Sequence, residues 1–195
     1  MSDQRYGVII ADPPWEYRNR GNGAPSNHYP TMKTDQIVAL PVAELAHGAT
    51  VLLMWATWPL LPDAIEVGKG WGFDYVSGFP WIKLQDDPAV DLFGDIRLRP
   101  AYGTGFWARG CSEMVLVFRR PEARPPAWPW LGLLSKRFEH SRKPDNLYEY
   151  AESMPGPYVE LFARRARPGW DSWGNEIGVS DPVAGIMGQP AEGKG

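Results

Sequence analysis

The chain has 195 residues, of which 44% are hydrophobic, and this is enough to bury the core of one domain. No segment approaches the roughly 18 apolar residues of a membrane span, and the polar start lacks a signal peptide's apolar region, so a cytoplasmic protein without a membrane anchor is expected. One cysteine excludes an internal disulfide, and three scattered histidines give no metal spacing, so no metal is expected.

Apolar runs typical of strands alternate with helical patterns along the chain. A buried strand ends at Asp12, and a helix with Thr34 as its N-cap should run through Ile37, Leu40 and Leu45. Residues 49–56 form a continuous apolar run, which suits a strand buried on both faces. Further helices are predicted at 62–71 and 144–154, and further strands at 75–84, 114–118 and 158–163.

This alternation predicts an α/β fold with one doubly wound, mostly parallel sheet. The domain should cover residues 1–178, with 179–195 as a loose tail. A polar loop at 18–29 is long enough to act as a lid, and the proline-rich and tryptophan-rich segment 120–141 is expected to be irregular.

The first strand ends in Asp12-Pro13-Pro14-Trp15, a sequence suited to holding an aromatic amine. The lone pair of an adenine amino group is delocalised, so its N–H groups must be held by acceptors before it attacks an electrophile. Asp12 supplies one acceptor, and the two prolines expose carbonyls without donating N–H groups. Trp15 offers a face on which a base can stack. The alternative is a proline turn that closes a core strand, with Trp15 simply packed.

Charge is unevenly distributed, although the net charge is −3. Residues 97–143 contain 10 Lys/Arg against 3 Asp/Glu, while the remainder contains 10 against 20. The basic stretch includes Arg119, Arg120 and Arg124, and it also carries aromatics such as Trp107. Cations interleaved with aromatics suit a nucleic-acid backbone with exposed bases, whereas the alternative is a solvated loop.

A second group of polar residues follows the last predicted strand. Glu160, Phe162 and Arg164 lie at its end, and Asn175 and Glu176 come shortly after. Ligands of doubly wound sheets bind at the carboxyl ends of strands. Carboxylate and amide groups there suit the hydroxyls of a ribose, and Phe162 could pack on a cofactor's adenine, although charged residues also simply end core strands.

Taken in order, the motifs resemble the Asp-Pro-Pro-Trp family of S-adenosylmethionine-dependent adenine N6-methyltransferases, which includes the catalytic subunit of the eukaryotic messenger-RNA adenosine methyltransferase. The resemblance extends from about residue 6 to 176. Its motifs are residues 11–15, 29–32, 81–83 and 105–107 with Glu113, followed by 141–145, 160–164 and 174–176. This order implies a Rossmann-like methyltransferase domain that is circularly permuted, with the catalytic motif first and the cofactor strand last.

The resemblance also implies roles for single residues. Asp12, with Pro13, Pro14 and Trp15, would form the catalytic motif, and Lys143 would lie beside the transferred methyl group. The cofactor S-adenosylmethionine, and its product S-adenosylhomocysteine, would be bound by Asp12, Lys143, Glu160, Phe162, Arg164, Asn175 and Glu176. The substrate would be contacted by Trp15 and Glu113, and by Tyr29 and Trp107 of the matched motifs. Independently of the resemblance, the basic stretch makes Arg119, Arg120 and Arg124 further candidate contacts for the substrate. The residues that read the cofactor's adenine stay unassigned.

Two alternatives stay open at the level of sequence. The chain could be an inactive relative that binds nucleic acid or supports an active partner, or it could methylate another planar amine, such as cytosine N4 or a protein glutamine. Retention of Asp12, Trp15, Lys143 and Asn175 speaks against the first alternative. Nucleic acid is the expected partner, DNA more than RNA by analogy with small bacterial and phage enzymes. A homodimer or a different partner subunit is left open.

Overall fold

A computed structural model describes residues 5–16, 31–86, 89–90, 96–103, 107–127, 132–136, 142–175 and 177. The predicted lid, Tyr29, Glu176 and the predicted tail lie outside the described residues. Among the described helices, none has the length and apolar character needed to cross a membrane.

Seven strands of the described residues form the central sheet: β1 (Tyr6–Ala11), β2 (Ala46–Ala56), β3 (Asp74–Leu84), β6 (Ser112–Arg119), β7 (Leu133–Lys136), β8 (Tyr158–Leu161) and β9 (Trp170–Trp173). Their order across the sheet is β7-β3-β6-β2-β1-β8-β9. Two short strands, β4 (Ala89–Val90) and β5 (Ile96–Arg97), pair separately. The helices are α1 (Thr34–Val38), α2 (Leu61–Gly70) and α3 (Asn146–Glu152).

Strand direction decides which residues share an edge of the sheet. The pairs β1·β2, β1·β8, β8·β9 and β3·β7 are parallel, whereas β6 runs antiparallel to both β2 and β3. Ala11 is level with Met54 and Leu161 near the carboxyl ends of three central strands. Met114 lies beside Ala56, so the amino end of β6 reaches the same edge. We call this the carboxyl edge.

Helices cover both faces of the sheet, which confirms the doubly wound α/β architecture. On one face, Ile37 of α1 and Val67 of α2 pack against sheet residues such as Leu52 and Phe118. On the other face, the apolar side of α3 packs on a separate cluster that includes Trp55 and Trp81. The central strands are buried because both faces are covered, which explains their continuous apolar sequences.

Several predicted boundaries were wrong for local reasons. Thr34 is the first residue of α1, not its N-cap, and its hydroxyl donates to the Asp63 carboxylate at 2.8 Å. The helix does not continue to Leu45, because it ends before Pro41 and a 3₁₀ turn follows. The segment expected to be irregular contains β7, and β9 was not predicted. The circular permutation and the domain limits remain predictions.

Candidate active site

Asp12 directly follows β1 at the carboxyl edge, where its backbone N–H donates to the Leu161 carbonyl at 3.3 Å. The next two carbonyls already accept one hydrogen bond each. The Trp15 N–H donates to the Pro13 carbonyl at 2.9 Å, and the Met32 N–H donates to the Pro14 carbonyl at 2.7 Å. A carbonyl oxygen has two lone pairs, so each can still accept a second donor. These bonds fix the direction in which the two carbonyls point.

Trp15 supports this turn from inside the protein. Its indole N–H donates to the Trp55 carbonyl at 3.3 Å, and only 7% of the residue is exposed. It packs in the apolar cluster that includes Ile37 of α1 and Leu60 before α2. The expected open stacking face is therefore not present on Trp15. The structure gives this residue the packed position that the sequence left open as the alternative.

Four charged side chains form a row across the carboxyl edge, with alternating signs. Lys143 places its Nζ 2.9 Å from Asp12 Oδ2 and 3.2 Å from Glu113 Oε2. Lys83 binds the other Glu113 oxygen, Oε1. All four side chains are largely buried, with exposed fractions of 17–22%. We call Asp12, Lys143, Glu113 and Lys83 the charged row.

Two tryptophans lie beneath the charged row. Trp55 of β2 and Trp81 of β3 meet edge to face, with ring centroids 5.7 Å apart. The Lys83 ammonium lies 4.7 Å from the centroid of Trp81, and the Lys143 ammonium lies 5.2 Å from that of Trp55. Each cation is therefore held both by a carboxylate and by the negative face of an indole ring.

The charged row shifts the ionisation of its members. Burial alone would raise the pKa of Glu113, but the ammonium groups of Lys143 and Lys83 outweigh burial and lower it. For the cation Lys143 the directions are reversed: burial alone would lower its pKa, but Asp12 and Glu113 raise it above its ordinary value. Both groups therefore stay ionised at neutral pH, which makes Glu113 a poor proton acceptor.

A further acidic residue, Glu160, lies near the end of β8, the strand that pairs with β1. Glu160 of β8 accepts a hydrogen bond from the Tyr148 hydroxyl at 2.8 Å. Burial is the main cause that raises the pKa of Glu160 to about 7, and the charge of Asp12 adds to it, although the bond from Tyr148 acts in the opposite direction. Arg167 covers the Tyr148 ring at 4.2 Å.

The chain turns sharply after β8. Phe162 adopts a left-handed backbone conformation with φ of 63°, and its ring meets Trp173 edge to face at 5.1 Å. A Cβ at Gly174 would lie 2.1 Å from the Ala163 carbonyl, so only glycine allows the two strand ends to approach this closely. Arg164 and Asn175 are exposed beside this junction.

These strand-end groups fit a nucleoside cofactor by their chemistry. The Glu160 carboxylate and the Asn175 amide can bind ribose hydroxyls, and the partly buried Phe162 ring offers an apolar surface. The structure brings Asp12, Glu113, Lys143 and Glu160 to one edge, with Phe162, Arg164 and Asn175 at the adjoining strand ends. The expected roles of these residues remain predictions.

Three arginines of the predicted basic stretch lie away from the candidate site. Arg119 ends β6 beside Asp74, the first residue of β3, and therefore lies at the opposite edge from Asp12. Arg120 supports the fold, since it donates to the Trp71 carbonyl at 3.3 Å and covers the Phe73 ring. Arg124 is exposed on the segment that follows β6. These three arginines do not lie beside the charged row.

Trp107, by contrast, is fully exposed in the segment between β3 and β6. The ends of that segment are paired at the carboxyl edge, because the Lys83 N–H donates to the Cys111 carbonyl and the Ala101 N–H to the Lys83 carbonyl, each at 2.7 Å. The contact of Trp107 with substrate stays a prediction.

Sequence reasoning assigned no role to Lys83, Trp55 or Tyr148, although Lys83 belongs to one of the quoted motifs. Pairing between distant strands brings Lys83 and Trp55 together, and packing of α3 on the sheet places Tyr148. A lysine near the end of an otherwise apolar strand was the one available signal for Lys83.

Comparison with known proteins gives one family. The family model described as MT-A70 matches residues 6–176. The chain is 31% identical to the Type II methyltransferase M.MunI of Mycoplasma sp, in an alignment that covers 89% of this chain and 78% of that protein.

Two longer relatives match over less of their own length. The chain is 29% identical to the N(6)-adenine-specific methyltransferase METTL4 of Mus musculus, over 88% of this chain and 37% of the relative. It is 26% identical to the N6-methyladenosine RNA methyltransferase MTA1 of Cryphonectria parasitica, over 88% of this chain and 52% of the relative.

Proposed function

The chain belongs to the MT-A70 family, and from that premise we propose that it transfers a methyl group from S-adenosylmethionine to the N6 amino group of adenine in nucleic acid, DNA rather than RNA. The observation that carries this proposal is the position of Asp12. Its carboxylate lies at the carboxyl edge of the sheet, beside two fixed proline carbonyls, and Lys143 holds one of its oxygens at 2.9 Å.

This arrangement suits an amine that must be oriented rather than deprotonated. An N–H of the target can donate to Asp12, and the second can donate to the free lone pair of the Pro13 carbonyl. Both acceptors are fixed before substrate arrives. Such positioning can supply about 7–11 kcal/mol of the barrier. The surplus proton leaves only after the nitrogen has become cationic, so no strong base is needed.

S-adenosylmethionine supplies an electrophilic methyl group when it is bound. Glu160, Phe162, Arg164 and Asn175 would hold its nucleoside part at the ends of β8 and β9, and Asp12 with Lys143 would hold its amino-acid end. Glu176 matches a family position that contacts the ribose, and it lies outside the described residues.

The preference for DNA rests on the relatives. M.MunI, a Type II methyltransferase, is matched over 78% of its length, whereas the RNA methyltransferase MTA1 is matched over 52%. A base in a duplex must be flipped out at a cost of a few kcal/mol, so single-stranded or distorted sites should react faster than intact duplex. A cytoplasmic location and a second subunit also stay predictions.

The test supplies methyl-labelled S-adenosylmethionine with single-stranded DNA, duplex DNA and RNA, digests each polymer to nucleosides and identifies the labelled product. We expect label in N6-methyldeoxyadenosine. Label in RNA alone would overturn the choice of DNA, and label in N4-methylcytosine would overturn the choice of adenine. No label in any of the three polymers would overturn nucleic-acid methylation by this chain.

Asp12→Ala tests the role of Asp12 in the same assay. Asp12 follows β1 instead of filling the core, so the variant should keep its fold. Its unfolding midpoint should fall, because the largely buried Lys143 ammonium loses one of its two carboxylate partners. Methyl transfer should be abolished, because the target amine loses its charged acceptor. Transfer at a near wild-type rate would show that the proposed chemistry is wrong.

A further inference from the structure

Lys83 occupies a position in the charged row that the proposed chemistry does not use. It lies near the end of β3, two residues after Trp81, and its ammonium binds Glu113 Oε1. Lys143 binds the other oxygen of the same carboxylate at 3.2 Å. Each oxygen of the Glu113 carboxylate therefore binds one lysine ammonium group. We propose that Lys83 is a positioning residue for methyl transfer, which acts through Glu113 to hold Lys143 between two carboxylates; this inference rests on the proposed function.

The geometry explains why a second carboxylate matters to Lys143. An ammonium group has three donors. If Glu113 turned away, Lys143 would have Asp12 as its one carboxylate partner in the charged row, and it would compete with the target amine for the Asp12 oxygens. With Glu113 in place, the donors of Lys143 are shared at 2.9 and 3.2 Å between two acceptors. Asp12 then keeps an oxygen available for the amine.

Lys83 is itself fixed, so it can fix Glu113. Its ammonium lies over the Trp81 ring at 4.7 Å, and its backbone N–H donates to the Cys111 carbonyl at 2.7 Å. Trp81 is anchored in turn, because its indole N–H donates to the Ser135 hydroxyl at 2.8 Å. The cation is thus held by β3 and by neighbouring strands, independently of substrate.

The charged groups that face Glu113 among the described residues are Lys83 from β3 and Lys143 from the segment before α3, with Asp12 beyond Lys143. Without Lys83, the Lys143 ammonium alone opposes the effect of burial on the pKa of Glu113. The pKa of Glu113 should then rise, so Glu113 takes up a proton at higher pH than in wild type and releases its hold on Lys143.

Lys83→Met tests this in the full chain, with kcat, KM for nucleic acid and the pH dependence of kcat/KM measured beside wild type. We expect kcat to fall about tenfold at neutral pH, with little change in KM, and the acid limb of the profile to move to higher pH. Lys83→Arg should restore most of kcat, because it restores the charge. Lys69→Met, on the exposed end of α2, is the matched control and should behave as wild type.

Glu113→Gln alone and combined with Lys83→Met separates action through Glu113 from direct contact with substrate. If Lys83 acts through Glu113, the double variant is no slower than Glu113→Gln. Additive losses would overturn the inference, as would an unchanged pH profile, or a fall in thermal stability with kcat intact. Lys83→Gln keeps a donor without the charge and replaces Lys83→Met if that variant does not fold. Inactivity of the wild-type protein would refute the proposed function instead.

Discussion

Glu160 is expected to lower the stability of the folded protein at neutral pH. Its carboxyl is buried beside Tyr148 at the end of β8, and its pKa is raised to about 7 from an ordinary value of 4.5. The folded state therefore holds a proton in a range where the unfolded chain has released it. Stability then falls as pH rises through this range, because the unfolded state binds fewer protons.

The size of the effect follows from the shift. A difference of about 2.5 units, at 1.36 kcal/mol per unit, gives an upper limit of about 3 kcal/mol between pH 4.5 and 7. Glu160→Gln removes the ionisation but keeps an oxygen that accepts from the Tyr148 hydroxyl. The variant should match wild type near pH 4.5 and exceed its unfolding free energy by up to about 3 kcal/mol above pH 7.

Urea unfolding at pH 5, 6, 7 and 8, followed by tryptophan fluorescence, measures this difference directly. Other groups titrate equally in both proteins and cancel. Glu149→Gln, on the exposed face of α3, controls for the loss of a carboxylate as such. A difference between Glu160→Gln and wild type that does not change with pH would refute the argument. We also expect Glu160→Gln to bind S-adenosylhomocysteine more weakly, so that stability and binding change in opposite directions.

Three further predictions follow from the described contacts. Lys143→Ala and Asn175→Ala should each weaken S-adenosylhomocysteine binding by about 1–3 kcal/mol, because each leaves a polar cofactor group unpaired; calorimetry measures this, and unchanged affinity in both would remove the site assignment. Gly174→Ala should lower the unfolding free energy by about 1–3 kcal/mol, because its Cβ would lie 2.1 Å from the Ala163 carbonyl, and a wild-type urea midpoint would contradict this. Arg119→Ala should leave nucleic-acid affinity and its salt dependence unchanged, since Arg119 lies at the opposite edge; a slope flattened by about 0.7–0.9 would contradict that placement.

The central strands could be predicted from the sequence, because a strand that is covered on both faces has a continuous apolar sequence. β1 and residues 51–56 of β2 are apolar without interruption, so the existence of both strands could be inferred without any knowledge of their neighbours. β9 escaped prediction because it has four residues, of which two are polar. β7 was missed because it lies within a segment whose prolines and tryptophans suggested irregular structure. Short strands of this kind depend on pairing with a neighbour and not on their own composition.

Of the candidate site, the sequence predicted the residues that follow strands but not the way they meet. Asp12 and Glu160 were placed at strand ends, and both lie at the carboxyl edge. Glu113 and Lys143 were selected by resemblance, and their joint contact with Asp12 needed the structure. The sequence left open whether Trp15 faces a ligand or the core, because its sequence neighbours do not distinguish the two; the structure packs it in the core, and its contact with substrate stays a prediction.

The direction of β6 accounts for the error over the basic surface. Hydrophobic pattern identifies a strand but is the same whether the strand runs up or down. Because β6 is antiparallel to β2, Glu113 near its amino end lies at the carboxyl edge, while Arg119 is carried to the other side of the sheet. Six residues of extended chain separate them by roughly 20 Å. Residues that form one basic stretch in the sequence are therefore divided between two edges of the sheet.

The charged row also limits what the site can accept. Two ammonium groups and two carboxylates alternate, so the row has no net charge. A phosphate placed among them would be as close to a carboxylate as to an ammonium, and it would gain little. A neutral planar base, by contrast, brings donors and acceptors that can pair with both signs. We therefore expect the backbone phosphates of a nucleic acid to bind outside the row, and the exposed Trp107 is a candidate contact for the chain that carries the base.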